Sequence, residues 1–262
     1  MNEAAVWVIT GSTGIAASTA RLAAAKGYRL MVASRTEANC RKLAESIRAG
    51  GGQCEWLAAD LTLPASAEAI VEQTVSAYGR IDALYNVAGI SGRKFGDGPV
   101  HECTDAGWEI TLDTNLKSLF FMCRAAIRRM LDQDLDENGQ RGVILNMASV
   151  LGFSPSPEYF ATHAYAASKG AIIGMTKSMA ACYAPHKIRA NVIAPALIRT
   201  PMSARAQENP DILKLMKSKQ PLAGDLIDAD DVARASLFLL NPDSRMVTGD
   251  VLTVDGGWCV SG

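Results

Sequence analysis

Short, continuously apolar runs alternate along this chain with longer stretches in which apolar residues recur every three to four positions. Runs such as "VWVIT" and "GVILNMA" lack the in-out alternation of a strand with one wet face, so they predict strands covered on both sides by helices. The pattern predicts strands at Val6–Thr10, Arg29–Ala33, Cys54–Ala58, Ala83–Asn86, Val143–Met147, Ile188–Ile193 and Val251–Val254. Helices are predicted at Gly14–Lys26, Glu37–Ala49, Ala65–Tyr78, Asp105–Asp132, His163–Ala184 and Ala229–Leu240. Such alternation is the signature of an α/β fold with a parallel sheet. The longest stretch outside it is Arg199–Asp228. There Met202, Leu213, Leu215 and Met216 suggest an amphipathic helix, either a surface cover for the core or a mobile substrate lid.

Composition narrows the picture. The 262 residues are 48% hydrophobic and 20% charged, which fits one large globular domain over the whole chain. A net charge of −1 without blocks of like charge gives no attraction to nucleic acid or an anionic membrane. No apolar stretch approaches the roughly 20 residues that span a bilayer, and "MNEAAVWVITG" lacks the basic segment and apolar run of a secretory signal. Six scattered cysteines with no C-x-x-C pairing suggest reduced thiols in a cytoplasmic protein, without a disulfide framework or metal site.

Candidate chemistry centres on Tyr165 and Lys169, which leave one face of a predicted helix four residues apart. A phenol is a poor acid–base group at neutral pH, since its ordinary pKa is about 10. A neighbouring ammonium is expected to pull that value down, suiting the pair to proton exchange with the oxygen of a carbonyl/alcohol couple. Ser149 ends an apolar strand upstream. "VITGSTGIA" turns from the first strand into the first helix through Gly11, Ser12, Thr13, Gly14 and Ile15, where backbone N–H groups can approach a pyrophosphate. At the end of the second strand, Ser34, Arg35 and Thr36 stand where dinucleotide folds bind the adenosine ribose. Arg35 is a surface cation or a partner for a 2′-phosphate. Asp60, followed by Leu61, can meet an adenine or cap a helix. Asn86, Ala88 and Gly89 end the fourth strand with small residues suited to a flat ligand. Asn115 interrupts an apolar helix face and so needs buried partners. His163 lines a pocket or begins a helix, and no histidine shows ligand spacing.

Taken together these motifs resemble the short-chain dehydrogenase/reductase family over essentially the whole chain. The resemblance rests on Thr10-Gly11…Gly14-Ile15, Asp60-Leu61, Asn86-Val87-Ala88-Gly89, Asn115, Ser149, Tyr165…Lys169, "APALIRTPM" and "TGDVLTVDGGW". It implies a doubly wound Rossmann-type fold with a seven-stranded parallel sheet, and a homotetramer. Tyr165 would be the acid/base, and Lys169 would lower its pKa and bind the nicotinamide ribose. Ser149 would orient the carbonyl, Asn115 would hold a relay water, and Pro195, Ile198 and Thr200 would contact the nicotinamide end. Three features depart from the family pattern. The glycine loop is one residue short and ends in Ala16, Pro195 precedes Ala196 rather than glycine, and the stretch from Ser149 to Tyr165 is lengthened and carries Pro155 and Pro157.

The expectation is an oxidoreductase preferring NADP(H), with NAD(H) also usable, acting on a ketone or secondary alcohol. A 3-oxoacyl thioester and a sugar or polyol are the candidate substrates. A non-catalytic dinucleotide sensor could dispense with Ser149, Tyr165 and Lys169. A methyltransferase using S-adenosylmethionine would place an acid near Ser34.

Overall fold

The computed structural model describes residues 4–261, so the first residues of the N-terminal stretch lie outside it. Its first half runs β1 (Val6–Thr10), α1 (Gly14–Ala25), β2 (Arg29–Ser34), α2 (Glu37–Ala49), β3 (Gln53–Ala58), α3 (Pro64–Tyr78) and β4 (Ala83–Asn86). The second half begins with α4 (Asp105–Leu112), α5 (Ser118–Leu131), β5 (Gly142–Met147), α6 (Pro157–Phe160), α7 (His163–Tyr183) and β6 (Ile188–Pro195). It closes with β7 (Ile198–Arg199), α8 (Ala204–Gln207), α9 (Pro210–Lys219), β8 (Ile227–Asp228), α10 (Ala229–Leu240) and β9 (Val251–Val254).

Seven of these strands form one parallel sheet in the order β3-β2-β1-β4-β5-β6-β9. Successive residues of each strand feed opposite cores, which is why the runs are apolar throughout. Val8, Met31, Leu84 and Ile144 pack with Ile70, Met122 and Ile172 on one face. Ile9, Val32, Tyr85 and Leu145 pack with Ala20, Leu43 and Leu237 on the other. Strand order reverses between β1 and β4, and in such sheets ligands bind in the crevice beyond the strand ends at that point.

Two expectations need correction. The predicted helix Asp105–Asp132 is broken by a π turn over Asp113–Lys117, because the Asn115 amide is drawn inward by partners on other segments. The Arg199–Asp228 segment is two short helices, and Met202 is exposed instead of sharing their apolar face. Ile212 and Met216 carry that face, packing with Val150, Leu226 and Trp258. Trp258 is buried and lies edge-on to Phe160, and β9 forms one edge of the sheet.

Both ends of the segment are pinned. Ser203 Oγ donates to the Ile198 carbonyl at 2.6 Å and accepts the Thr200 N–H at 3.1 Å, while Gln207 Nε2 donates to the Thr200 carbonyl at 2.8 Å. At the far end the buried Gln220 amide accepts the Leu197 N–H at 2.7 Å and donates to the Asp225 carbonyl at 2.8 Å. All six cysteines are unpaired, and no helix of the described residues is long and apolar enough to cross a membrane.

Candidate active site

One cavity of about 1070 Å³ opens beyond the ends of β1, β4, β5 and β6. Its floor begins at the β1–α1 turn. Gly11 and Gly14 have φ of 103° and 53°, a region that side chains resist. The Ala16 methyl lies 3.0 Å from where a Cβ on Gly11 would sit, so glycine at 11 makes room for the alanine that ends the shortened loop. A Cβ on Gly14 would press on Thr200 at 3.0 Å, which seats the start of the Arg199–Asp228 segment directly on this turn. Gly14, Ile15 and Ala16 line the cavity, and the first N–H groups of any helix lack partners within it.

Beside this turn, Ser34 Oγ lies 2.7 Å from Ser12 Oγ and 2.9 Å from Cys40 Sγ, joining the glycine loop to α2. Arg35 and Thr36 are exposed and face the cavity. The Asp60 carboxylate accepts the Thr62 N–H at 3.0 Å and the Thr62 hydroxyl at 2.8 Å, and these bonds hold its pKa below the usual value. Asp60 thus closes the turn before α3 and lines the cavity together with Leu61.

At the other end Ser149, Tyr165 and Lys169 meet. Ser149 leaves β5 with its Oγ donating to the Pro195 carbonyl at 3.4 Å and accepting the Leu151 N–H at 3.3 Å, beside Tyr165. Lys169 is buried and donates to the Met147 carbonyl at 2.9 Å. Burial depresses its pKa to about 8. Burial also raises the Tyr165 phenol, against a partial opposing effect of Ser149. This reverses the expected lowering of the phenol by its neighbour. Lys169 Nζ sits 5.5 Å from the centre of the Tyr165 ring while bonded to the sheet, and desolvation prevails.

Ala88, Gly89, Pro195, Ile198 and Thr200 complete the wall. Asn86 does not line it. Its amide donates to Asn146 Oδ1 at 2.9 Å inside the sheet, so its expected contact with a ligand gives way to a role in fixing β4 against β5. Asn115 also lies behind the wall. Its Oδ1 accepts the Ile90 N–H at 2.8 Å, and its Nδ2 donates to the Ile90 carbonyl at 3.0 Å and to Ser168 Oγ at 3.1 Å. A Cβ on Gly89 would lie 2.9 Å from that Oδ1, so glycine is needed there. His163 begins α7, and its Nδ1 accepts the Val100 N–H at 3.0 Å.

Sequence reading missed Asp97, a buried carboxylate whose oxygens accept the N–H groups of Ala164 and Tyr165. It also missed Arg93 and Arg205, which both reach the Tyr159 carbonyl. No local motif marks any of them, since each partner is distant in the chain.

A family model described as Enoyl-(Acyl carrier protein) reductase matches residues 9–259. The chain is 34% identical over 257 residues to an A-factor type gamma-butyrolactone 1'-reductase of Streptomyces virginiae, covering 97% of this chain and 95% of that protein. It is 36% identical over 250 residues to a 3-oxoacyl-[acyl-carrier-protein] reductase of Bos taurus, covering 95% of each. The chain belongs to the short-chain dehydrogenase/reductase family. A solved structure of an actinorhodin polyketide ketoreductase with NADPH superposes with a TM-score of 0.87 at 27% identity, covering 99% of this chain and all of that one. As a short-chain dehydrogenase/reductase, this protein is an oxidoreductase of keto and hydroxyl groups.

The residues fit the NAD(P) cofactor such oxidoreductases use. The cavity exceeds the 300–1,000 Å³ typical of pockets for one small ligand, and runs without interruption from the glycine turn to Tyr165. The glycine turn and α1 start would hold the pyrophosphate, Ser34 to Thr36 the adenosine ribose, and Lys169 the ribose beside Tyr165.

Proposed function

We propose that this oxidoreductase prefers NADP(H), with NAD(H) as a weaker alternative, and interconverts a ketone and a secondary alcohol at Tyr165. The meeting of Ser149, Tyr165 and Lys169 at one end of a cavity that begins on the glycine turn carries this reading. A bound nicotinamide supplies or accepts the hydride. Tyr165 Oη gives its proton to the carbonyl oxygen in reduction and takes one back in oxidation. The Ser149 hydroxyl, which lines the cavity beside Tyr165, holds the substrate oxygen there. Lys169, fixed to the Met147 carbonyl, would present its ammonium to the ribose of a bound cofactor.

Asn115 keeps Ile90 and Ser168 in register beside Lys169. Both amide hydrogens are engaged, so a relay water would meet only the remaining lone pair of Oδ1. A non-catalytic sensor would have no use for this arrangement.

The single domain carries a substrate lid at 199–228, and the protein assembles as a homotetramer. The β9 edge and the exposed Met246, Leu222 and Val260 side chains support assembly. Unpaired thiols favour the cytoplasm.

The function is tested with a panel of ketones and secondary alcohols, including 3-oxoacyl thioesters and polyols, followed by nicotinamide absorbance with each cofactor. Reduction with NADPH supports the reading, and no turnover with either cofactor on any compound refutes it. Light scattering tests the assembly, and a monomer at micromolar concentration refutes it.

A further inference from the structure

Arg93, in the turn after β4, and Arg205, on α8, converge on one backbone oxygen. One Nη2 of each donates to the Tyr159 carbonyl, both at 3.1 Å. Tyr159 belongs to α6, in the lengthened stretch between Ser149 and Tyr165. All three segments of the rim therefore meet at this point, and both arginines line the cavity that holds Tyr165.

The two guanidinium groups are not ion-paired. Two guanidinium groups on one oxygen repel, and a carbonyl dipole offsets little of that repulsion. Among the described residues neither arginine has a carboxylate partner, although Glu208 and Asp211 line the same cavity. The contrast is with Arg199, which begins the same segment and is paired with Asp225 at 2.8 Å and Asp228 at 3.7 Å. Burial and the charge of Arg93 both hold the Arg205 pKa below its ordinary value. Lys94 adds a third cation to the lining.

We propose that Arg93 and Arg205 form a binding site for an oxyanion, a carboxylate or a phosphate, carried by the substrate away from its reacting carbonyl. Planar guanidinium forks bind such groups through paired charge-assisted bonds. The preferred substrates are then anionic ketones or alcohols. This rests on the carbonyl chemistry proposed above and names its substrate class.

Two matched pairs test it, with kcat and KM measured for each compound. One pair is a keto acid and its methyl ester. The other is a 3-oxoacyl coenzyme A thioester and the N-acetylcysteamine thioester of the same acid. Wild type is compared with the double variant Arg93→Gln, Arg205→Gln, which keeps N–H donors for the Tyr159 carbonyl but removes both charges. Bonds to charged groups imply a KM about ten- to a hundredfold lower for the anionic member of one pair. That advantage should vanish in the double variant, with kcat/KM for the neutral member within about twofold of wild type. The pair that responds tells carboxylate from phosphate. Equal treatment of both pairs by wild type overturns the site, and so does an equal loss on charged and neutral members in the variant. Reduction of none of the four compounds, or of any other ketone, overturns the underlying carbonyl reading instead.

Discussion

Asp97 holds the backbone of Tyr165: its Oδ2 accepts the Tyr165 N–H at 2.9 Å, and its Oδ1 accepts that of Ala164 at 3.0 Å. Thr162, at the start of α7, makes no capping bond with its own side chain. A carboxylate from the turn after β4 satisfies those donors and suits the positive end of the helix dipole. Asp97→Ala should cost about 0.5–2 kcal/mol of stability, as lost caps do. It should also lower kcat more than it raises KM, because Tyr165 would lose its fixed position. Asn should restore part of both, since one of its two polar atoms still accepts. Denaturant melts and steady-state kinetics on the same preparations check this, and an unchanged kcat would mean that α7 places Tyr165 unaided.

Tyr165→Phe removes the hydroxyl with little change in packing. Turnover should fall by about 10²–10⁴-fold, the usual contribution of general acid–base catalysis, while cofactor binding by calorimetry stays intact. Near-normal turnover would assign the proton to another group.

Lys169 makes stability and activity respond to pH in opposite senses. Its pKa is about 8 in the folded chain against an ordinary value of 10.5. Between those values the unfolded chain binds more protons, so this residue makes stability rise with pH across that window. The cost of its buried charge is fully present below about 8. In the proposed mechanism activity needs the ammonium, so kcat/KM for reduction should decline above about pH 8. The raised phenol of Tyr165 stays protonated through that range and imposes no earlier limit. A profile flat to pH 10 would show the lysine charge to be dispensable.

Arg35 is exposed at the cavity, and Ser34 is tied to Ser12 and Cys40. Arg35→Ala should weaken NADPH binding about ten- to a hundredfold, the worth of a hydrogen bond involving a charged group, and leave NADH nearly unchanged. Ser34→Asp should invert the preference, because a carboxylate there repels a 2′-phosphate and accepts ribose hydroxyls. Titration calorimetry with both cofactors decides, and an equal loss for the two would refute a phosphate contact by Arg35.

The sheet was legible because covered strands are apolar at every position. "VWVIT" and "GVILNM" coincide with β1 and β5 to within a residue, and the seven-stranded parallel sheet is the one the family resemblance implies. Ser149, Tyr165 and Lys169 stood out because residue type and spacing carry their chemistry. The π turn at Asn115 did not, since the cause of the break is an amide bonded to Ile90, 25 residues away. Asp97 acts on Ala164 across 67 positions, and Arg93 and Arg205 reach Tyr159 across 66 and 46. Such partners become visible only when the fold brings the segments together. The environment of Tyr165 was misjudged for a related reason: burial is a property of the assembled site, and it outweighed the charge visible four residues away.

The two pinned ends of the 199–228 segment have a mechanical consequence. Gln220 clamps β7 to the turn after α9, and Ser203 with Gln207 knots the chain back onto Thr200. If the segment moves as a lid, that motion would be confined to the stretch between these two posts, chiefly α9, with Ile212 and Met216 as its seat on Trp258. Arg205 belongs to that segment and Arg93 to the turn after β4, so a charge gripped by both would act as a latch, fastening the near post of such a lid to the opposite rim.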